Sequence, residues 1–144
     1  MHDENKTYTI PLYVNDTGEK VSDIFFRVTR DNHDTSLTVI SGILEGSKYG
    51  GEGFFYDMAA LRKDLEKETL LLGCKGALVN VFPGGVMGET TWGKIAYVFI
   101  DGKLASKPVN IYDPISPEEV SSLSFFDAQK EHRRHVIRGN RRIK

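Results

Sequence analysis

At 144 residues the chain is about one domain, long enough to bury a core without disulfides or a structural metal, and 40% hydrophobic with 27% charged residues excludes overall disorder. The single cysteine, Cys74, excludes an internal disulfide; no apolar run reaches the roughly 18 to 20 residues that span a bilayer, and Met1 to Asn5 lacks the features of a signal peptide, so the expected location is the cytoplasm. The net charge of −1 conceals an asymmetry: residues 1–127 hold 12 Lys/Arg against 19 Asp/Glu, a charge of −7, and residues 128–144 hold 7 against 1, a charge of +6.

Tyr8 to Val14 alternates with Tyr8, Ile10, Leu12 and Val14 on one face, and Pro11 has no amide hydrogen to offer a neighbour, which predicts an edge strand. A turn at Asn15-Asp16-Thr17-Gly18 precedes a second strand at Ile24–Arg30. The polar turn Asp31-Asn32-His33-Asp34 then leads into a third strand at Leu37–Leu44, with Gly42 marking a bulge. These three strands predict an antiparallel meander. Gly46 to Gly53 holds four glycines without a Gly-Lys-Ser/Thr or dinucleotide-binding spacing, so it reads as a connector rather than a phosphate cradle.

From Asp57 the period changes to that of a helix, with Met58, Leu61, Leu65 and Leu72 on one stripe and Arg62 among the charged residues facing water. Asp57 is the expected amino-terminal cap and Gly73 the expected left-handed stop. Val79–Phe82 reads as a short strand broken by Pro83-Gly84-Gly85. Val86 to Gly93 is a glycine-punctuated loop carrying Trp92, either part of a binding surface or a cover over one end of the core. Ile95–Ile100 is an apolar run expected of a strand covered on both faces. Asp101-Gly102 predicts a two-residue hairpin turn, with return strands at Lys103–Ala105 and Val109–Tyr112. Ser116-Pro117-Glu118-Glu119 is a capping box with proline at the first helical position, predicting a helix docked by Val120, Leu123 and Phe126 and running to about Ile137, where Gly139-Asn140 stops it.

The expected architecture is α+β: an antiparallel sheet of about five to seven strands, one helix inserted mid-chain and one carboxy-terminal helix. A single domain over 1–127 is followed by a basic helical extension or tail over 128–144.

Candidate chemistry is sparse. His132 and His135 are three apart on one helical face, but Arg133 and Arg134 between them would repel a metal ion, and no metal or other cofactor is expected. Cys74 beside Lys75 lacks a nearby histidine and reads as a buried thiol, so no catalytic residue is assigned and the protein is not expected to be an enzyme.

The order Gly73-Cys74, Val79-Asn80-Val81-Phe82-Pro83-Gly84-Gly85, Met87-Gly88, Ala96-Tyr97 and Val109-Asn110-Ile111-Tyr112-Asp113 resembles small bacterial α+β proteins that are similar to immunity proteins of toxin systems. The resemblance covers roughly residues 70 to 113 and transfers no catalytic position. It implies a protein that binds a cognate toxin and occludes its active site. If that toxin is a basic nuclease, the acidic body stands in for its substrate, with Asp16, Glu19, Asp31, Asp34, Glu89 and Trp92 as the contact residues. The alternative is a nucleic-acid-binding module using Arg133, Arg134, Arg138, Arg141 and Arg142 of the basic tail.

Overall fold

The computed structural model describes residues 4–84, 91–105 and 107–143. Its larger sheet has five antiparallel strands in the order β4-β3-β2-β1-β5. They are β1 (Glu4–Val14), β2 (Lys20–Asp31), β3 (Asp34–Ser41), β4 (Lys48–Gly50) and β5 (Leu70–Leu72). The meander read from the sequence is therefore present and one strand longer, because Lys48–Gly50 inside the glycine-rich stretch pairs with Ser36–Thr38. The strands alternate as half-buried strands must: Ile24, Phe26 and Val28 of β2 and Leu37 and Val39 of β3 point inward. A bulge lies where Phe25 pairs with Ser41 but Phe26 with Val39, leaving Ile40 as the extra residue, shortly before Gly42 at φ 105°.

β1 pairs with β2 from Glu4 to Tyr13, and on its other side β5 covers only Leu12–Val14. It is an edge strand for most of its length, with Pro11 at the point where the cover begins.

Helix α1 spans Phe54–Glu66, shorter than the sequence period implies and starting three residues earlier. The expected cap, Asp57, lies within its first turn, and the expected stop, Gly73, lies beyond it. The physical reason is the run Leu70-Leu71-Leu72: it gains more by pairing with β1 and burying Leu71 and Leu72 than by extending the helix. Thr69, at φ 57°, reverses the chain between the two.

A smaller sheet is built on β7 (Ile95–Ile100), which pairs with β6 (Val81–Phe82), β8 (Lys103–Leu104) and β9 (Val109–Asn110). Asp101 and Gly102 both have positive φ, 52° and 77°, as the two-residue turn requires. The expectation that β7 is covered on both faces fails: only Ala96 is fully buried, and Ile100 is 57% exposed. Its partners pair along its edges and leave its faces open toward Ile100, where the neighbouring Lys103 and Leu104 are themselves exposed.

A 3-10 turn at Lys75–Ala77 lies just ahead of the expected Val79–Phe82 strand, of which only Val81–Phe82 forms. The capping box forms, with the Ser116 amide donating to Glu119 Oε1 at 2.9 Å, but the helix it opens is a 3-10 helix over Pro117–Ser122. The chain then bends, and helix α2 runs Phe126–Ile143, through Gly139-Asn140 rather than stopping there. The division expected at 127/128 thus falls inside a helix whose Gln129 is fully buried.

Among the described residues, 25 buried hydrophobic side chains form one cluster, from Ile10 on β1 to Phe126 on α2. It closes around Gly76, where an added Cβ would lie 2.7 Å from Ile111 Cβ and 3.0 Å from the Ile111 carbonyl oxygen. Gly76→Ala is expected to destabilise the fold by about 1–3 kcal/mol through overpacking, read as a lowered midpoint of chemical denaturation with an unchanged slope. No helix among the described residues is long and apolar enough to cross a membrane.

Candidate functional site

The amino-terminal end of α1 gathers Trp92, Arg30 and two hollows on one surface. Thr91 opens a turn in which its carbonyl accepts from Lys94 N at 3.0 Å and its hydroxyl from Ile95 N at 3.1 Å. Trp92 and Gly93 are consecutive left-handed residues, at φ 53° and 83°. The Trp92 carbonyl accepts the Phe54 amide at 2.6 Å, fixing this turn to the first residue of α1. Two glycines allow the approach, since a Cβ on Gly93 would lie 3.1 Å from Phe55 N and one on Gly53 would lie 3.1 Å from Trp92 O.

The Trp92 indole is half-buried, with the Arg30 guanidinium 3.9 Å from its ring centroid and the His33 ring 6.5 Å away. Arg30 also donates to the Asn32 carbonyl at 2.7 Å, which ties the indole to the β2–β3 turn carrying Asp31 and Asp34. Trp92 separates two hollows. The smaller, about 330 Å³, is bounded by Arg30, Phe54, Lys94 and Asn110. The larger, about 480 Å³, is walled by Phe55, Tyr56, Phe82 and Pro83, with Glu52 and Arg133 at its rim. Phe55 and Phe82 pack at 4.9 Å, and the Arg133 guanidinium lies 4.8 Å from the Phe82 ring. Tyr56 is 45% exposed, so this wall is open to solvent. An apolar hollow of this size with a few charged groups at the rim has the composition of a binding site.

Beneath the surface lies a buried carboxylate. Asp57 accepts the Thr35 hydroxyl at 2.6 Å and the Glu52 amide at 3.1 Å, while Thr35 Oγ1 accepts the Gly53 amide at 3.0 Å. Burial pushes the Asp57 carboxyl up to about 6, against the two hydrogen bonds that lower it and with the charges of Glu52 and Asp34 adding to the rise. These contacts occupy the Glu52, Gly53 and Phe54 amides with groups of the protein itself, so the glycine-rich stretch is closed as a phosphate cradle.

The residues expected to contact a partner are only partly brought together. Trp92, Asp31 and Asp34 share one end of the sheet. Asp16 and Glu19 lie in the β1–β2 turn, at the opposite end of the 12-residue β2, roughly 35 Å away by strand rise. Asp16 borders a separate hollow of about 740 Å³ with Tyr13, Gly18, Ile115 and Val120. Glu89 lies outside the described residues. Among the basic residues, Arg134 is paired with Glu131 at 2.8 Å, and Arg133 belongs to the aromatic hollow rather than to a basic stripe. Arg138, Arg141 and Arg142 follow further along α2.

His135 also meets Glu131, at 3.3 Å, and among the described residues no three His, Cys, Asp or Glu side chains converge as metal ligands would. Cys74 is fully buried with its thiol 3.7 Å from Met58 Sδ, and burial pushes it up to about 12, leaving no thiolate at neutral pH.

Sequence reasoning misplaced one important side chain, Arg62, and gave no role to two others, Gln129 and Arg30. Arg62 is buried rather than water-facing, although Met58, Leu61, Arg62 and Leu65 follow the i, i+3, i+4, i+7 spacing of a buried stripe. Gln129 falls three residues after Phe126 on a helix that starts at Phe126, not Pro117. Arg30 continues the inward alternation of β2 after Phe26 and Val28. The chain matches no known protein family and no curated protein.

Proposed function

We propose that this protein acts by binding another protein, as a cytoplasmic immunity-type inhibitor that occludes the active site of a cognate toxin, with Trp92 and the aromatic hollow at the centre of the contact. The supporting observation is the placement of a half-buried indole, backed by Arg30 at 3.9 Å, between an open aromatic hollow and the exposed acids of the Asp31–Asp34 turn. Interfaces draw most of their affinity from a few such aromatic and Arg anchors set in apolar surroundings, while rim charges govern encounter. Asp31 and Asp34 would attract a basic toxin toward the hollow; Asp16 and Glu19 are too distant to join the same small contact.

A nucleic-acid reading has less support, because Arg134 pairs with the acidic Glu131 and Arg133 lies over the Phe82 ring at the aromatic hollow rather than in a basic stripe.

The test is affinity capture of the toxin from the native host, followed by measurement of variants against it. Trp92→Ala and Tyr56→Ala are each expected to weaken binding by about 2 kcal/mol, roughly 30-fold in Kd, chiefly through faster dissociation. The double change Asp31→Asn with Asp34→Asn is expected to slow association and flatten its salt dependence. Capture of no protein at low salt, or unaltered binding by folded Trp92→Ala and Tyr56→Ala variants, would overturn the proposal.

A further inference from the structure

The outer edge of β1 carries a second surface, remote in chemistry from the aromatic hollow. The Pro11 carbonyl accepts the Gly73 amide at 2.8 Å, so the main-chain groups of Pro11 point away from β2, toward the β5 side. From Glu4 to Leu12 the pairing with β2 is regular, without a bulge. Main-chain groups alternate sides along a strand, so the N–H and C=O of Thr9, Thr7 and Asn5 point outward as well. β5 ends its pairing at Leu12, and among the described residues no main-chain partner on this side meets the outward groups of Asn5, Thr7 and Thr9. Asn5, Lys6, Thr7 and Thr9 are exposed.

An open row of donors and acceptors is a template for another strand, and proteins blunt such rows with charges, proline or bulges. Here those devices are nearly missing from the open portion. Pro11 sits at its covered end, the bulge comes between Leu12 and Tyr13, and Lys6 is the one cation between Asn5 and Thr9.

We propose that this edge is a self-pairing interface, on which a second copy of the chain lays its own β1 antiparallel, with Thr7 facing Thr7 across a two-fold axis. The register follows from complementarity. Centring on Thr7 makes Asn5–Thr9, Thr7–Thr7 and Thr9–Asn5 the hydrogen-bonded pairs, about six main-chain bonds in all at two per pair. On the solvent face every opposed pair is then small, polar and uncharged, and Thr–Thr is a favourable cross-strand pair. On the other face each Lys6 meets Tyr8 of the second copy. Centring one residue earlier would set Lys6 directly against Lys6, which like-charge repulsion disfavours. A strand pair of this length buries less than the roughly 1,200 Å² of a stable interface, so the association is weak and concentration-dependent.

Sedimentation equilibrium of the full chain tests this. The wild-type apparent mass is expected to climb from that of the 16.2 kDa chain toward twice that value as concentration rises from micromolar to millimolar. Thr7→Pro removes the amide on the axis, and Thr7→Asp or Thr7→Lys places like charges face to face. Each variant alone is expected to remain at the single-chain mass, with circular dichroism confirming that it is folded. An equimolar mixture of Thr7→Asp and Thr7→Lys is expected to regain association, because opposite charges then oppose each other. A wild-type mass fixed at one chain up to about 1 mM would overturn the proposal, as would folded single variants that associate like wild type or a mixture that stays monomeric.

Discussion

Arg62→Met is expected to destabilise the fold by about 3 kcal/mol, seen as a fall of roughly 10 °C in the thermal midpoint. Arg62 is 2% exposed on α1 and reaches two other parts of the chain. Its Nη1 donates to Gln129 Oε1 at 2.7 Å and approaches the Gly76 carbonyl at 3.4 Å, and its Nη2 donates to the Ser124 carbonyl at 2.8 Å. Burial lowers its pKa to about 10, which still leaves it charged at neutral pH. Gln129 Nε2 lies 2.8, 2.9 and 2.7 Å from the carbonyls of Gly76, Leu78 and Val81, sharing two hydrogens among three acceptors. Methionine fills much of the volume but orphans Gln129 Oε1 and the Ser124 carbonyl, and an unsatisfied buried acceptor costs more than the bond itself contributes. Gln129→Leu should be similarly damaging. The pair Arg62→Met with Gln129→Leu should lose less than the sum of the single changes, by on the order of 1–3 kcal/mol, because neither partner is then left stranded. Additive losses would show that the two side chains act separately.

Asp57→Asn is expected to flatten the pH dependence of stability between pH 4 and 6. The Asp57 carboxyl sits at about 6 in the folded protein, against an ordinary value near 3.8, so the folded state holds its proton more tightly than the unfolded chain does. The stabilisation linked to that proton is full below about pH 4, declines as pH rises and is gone above about 6. The difference amounts to on the order of 2–3 kcal/mol for a shift of this size, other groups being equal. Asparagine keeps an acceptor for the Glu52 amide and can satisfy Thr35, but carries no charge to desolvate. The variant should therefore gain on wild type as pH rises from 4.5 to 7.5, measured by denaturant titration at each pH. Parallel profiles for the two proteins would show that Asp57 does not titrate in this range.

Much of the fold was legible because local chemistry and tertiary packing agree. The meander, the Asp101-Gly102 turn and the capping box at Ser116 depend on neighbours in sequence, and all three form. Where they disagree, packing prevails. Leu70–Leu72 carries the apolar content of a helix stripe, yet a free stretch of β1 turns it into a strand. Asp57 has the sequence marks of a cap, but the cap position is taken by Gly53, and its carboxylate instead serves Thr35 and Glu52 from within the first turn. The candidate site was half legible. Trp92 in its glycine setting was visible, whereas the walls of the hollow come from α1, β6 and α2, elements far apart in sequence that no local pattern links. Arg133 was sorted with the basic tail because sequence shows its charge but not the Phe82 ring beneath it.

Gln129 also has a consequence for how the chain is made. The Arg62–Gln129 bond joins residues 67 apart, and the carbonyls served by Gln129 lie 48 to 53 residues earlier. During synthesis the meander and α1 leave the ribosome before α2, and Arg62 has no Gln129 to meet until α2 emerges. A chain that stops short of α2 lacks every partner that Gln129 supplies and keeps an incomplete interior, so the meander and α1 cannot close the fold by themselves.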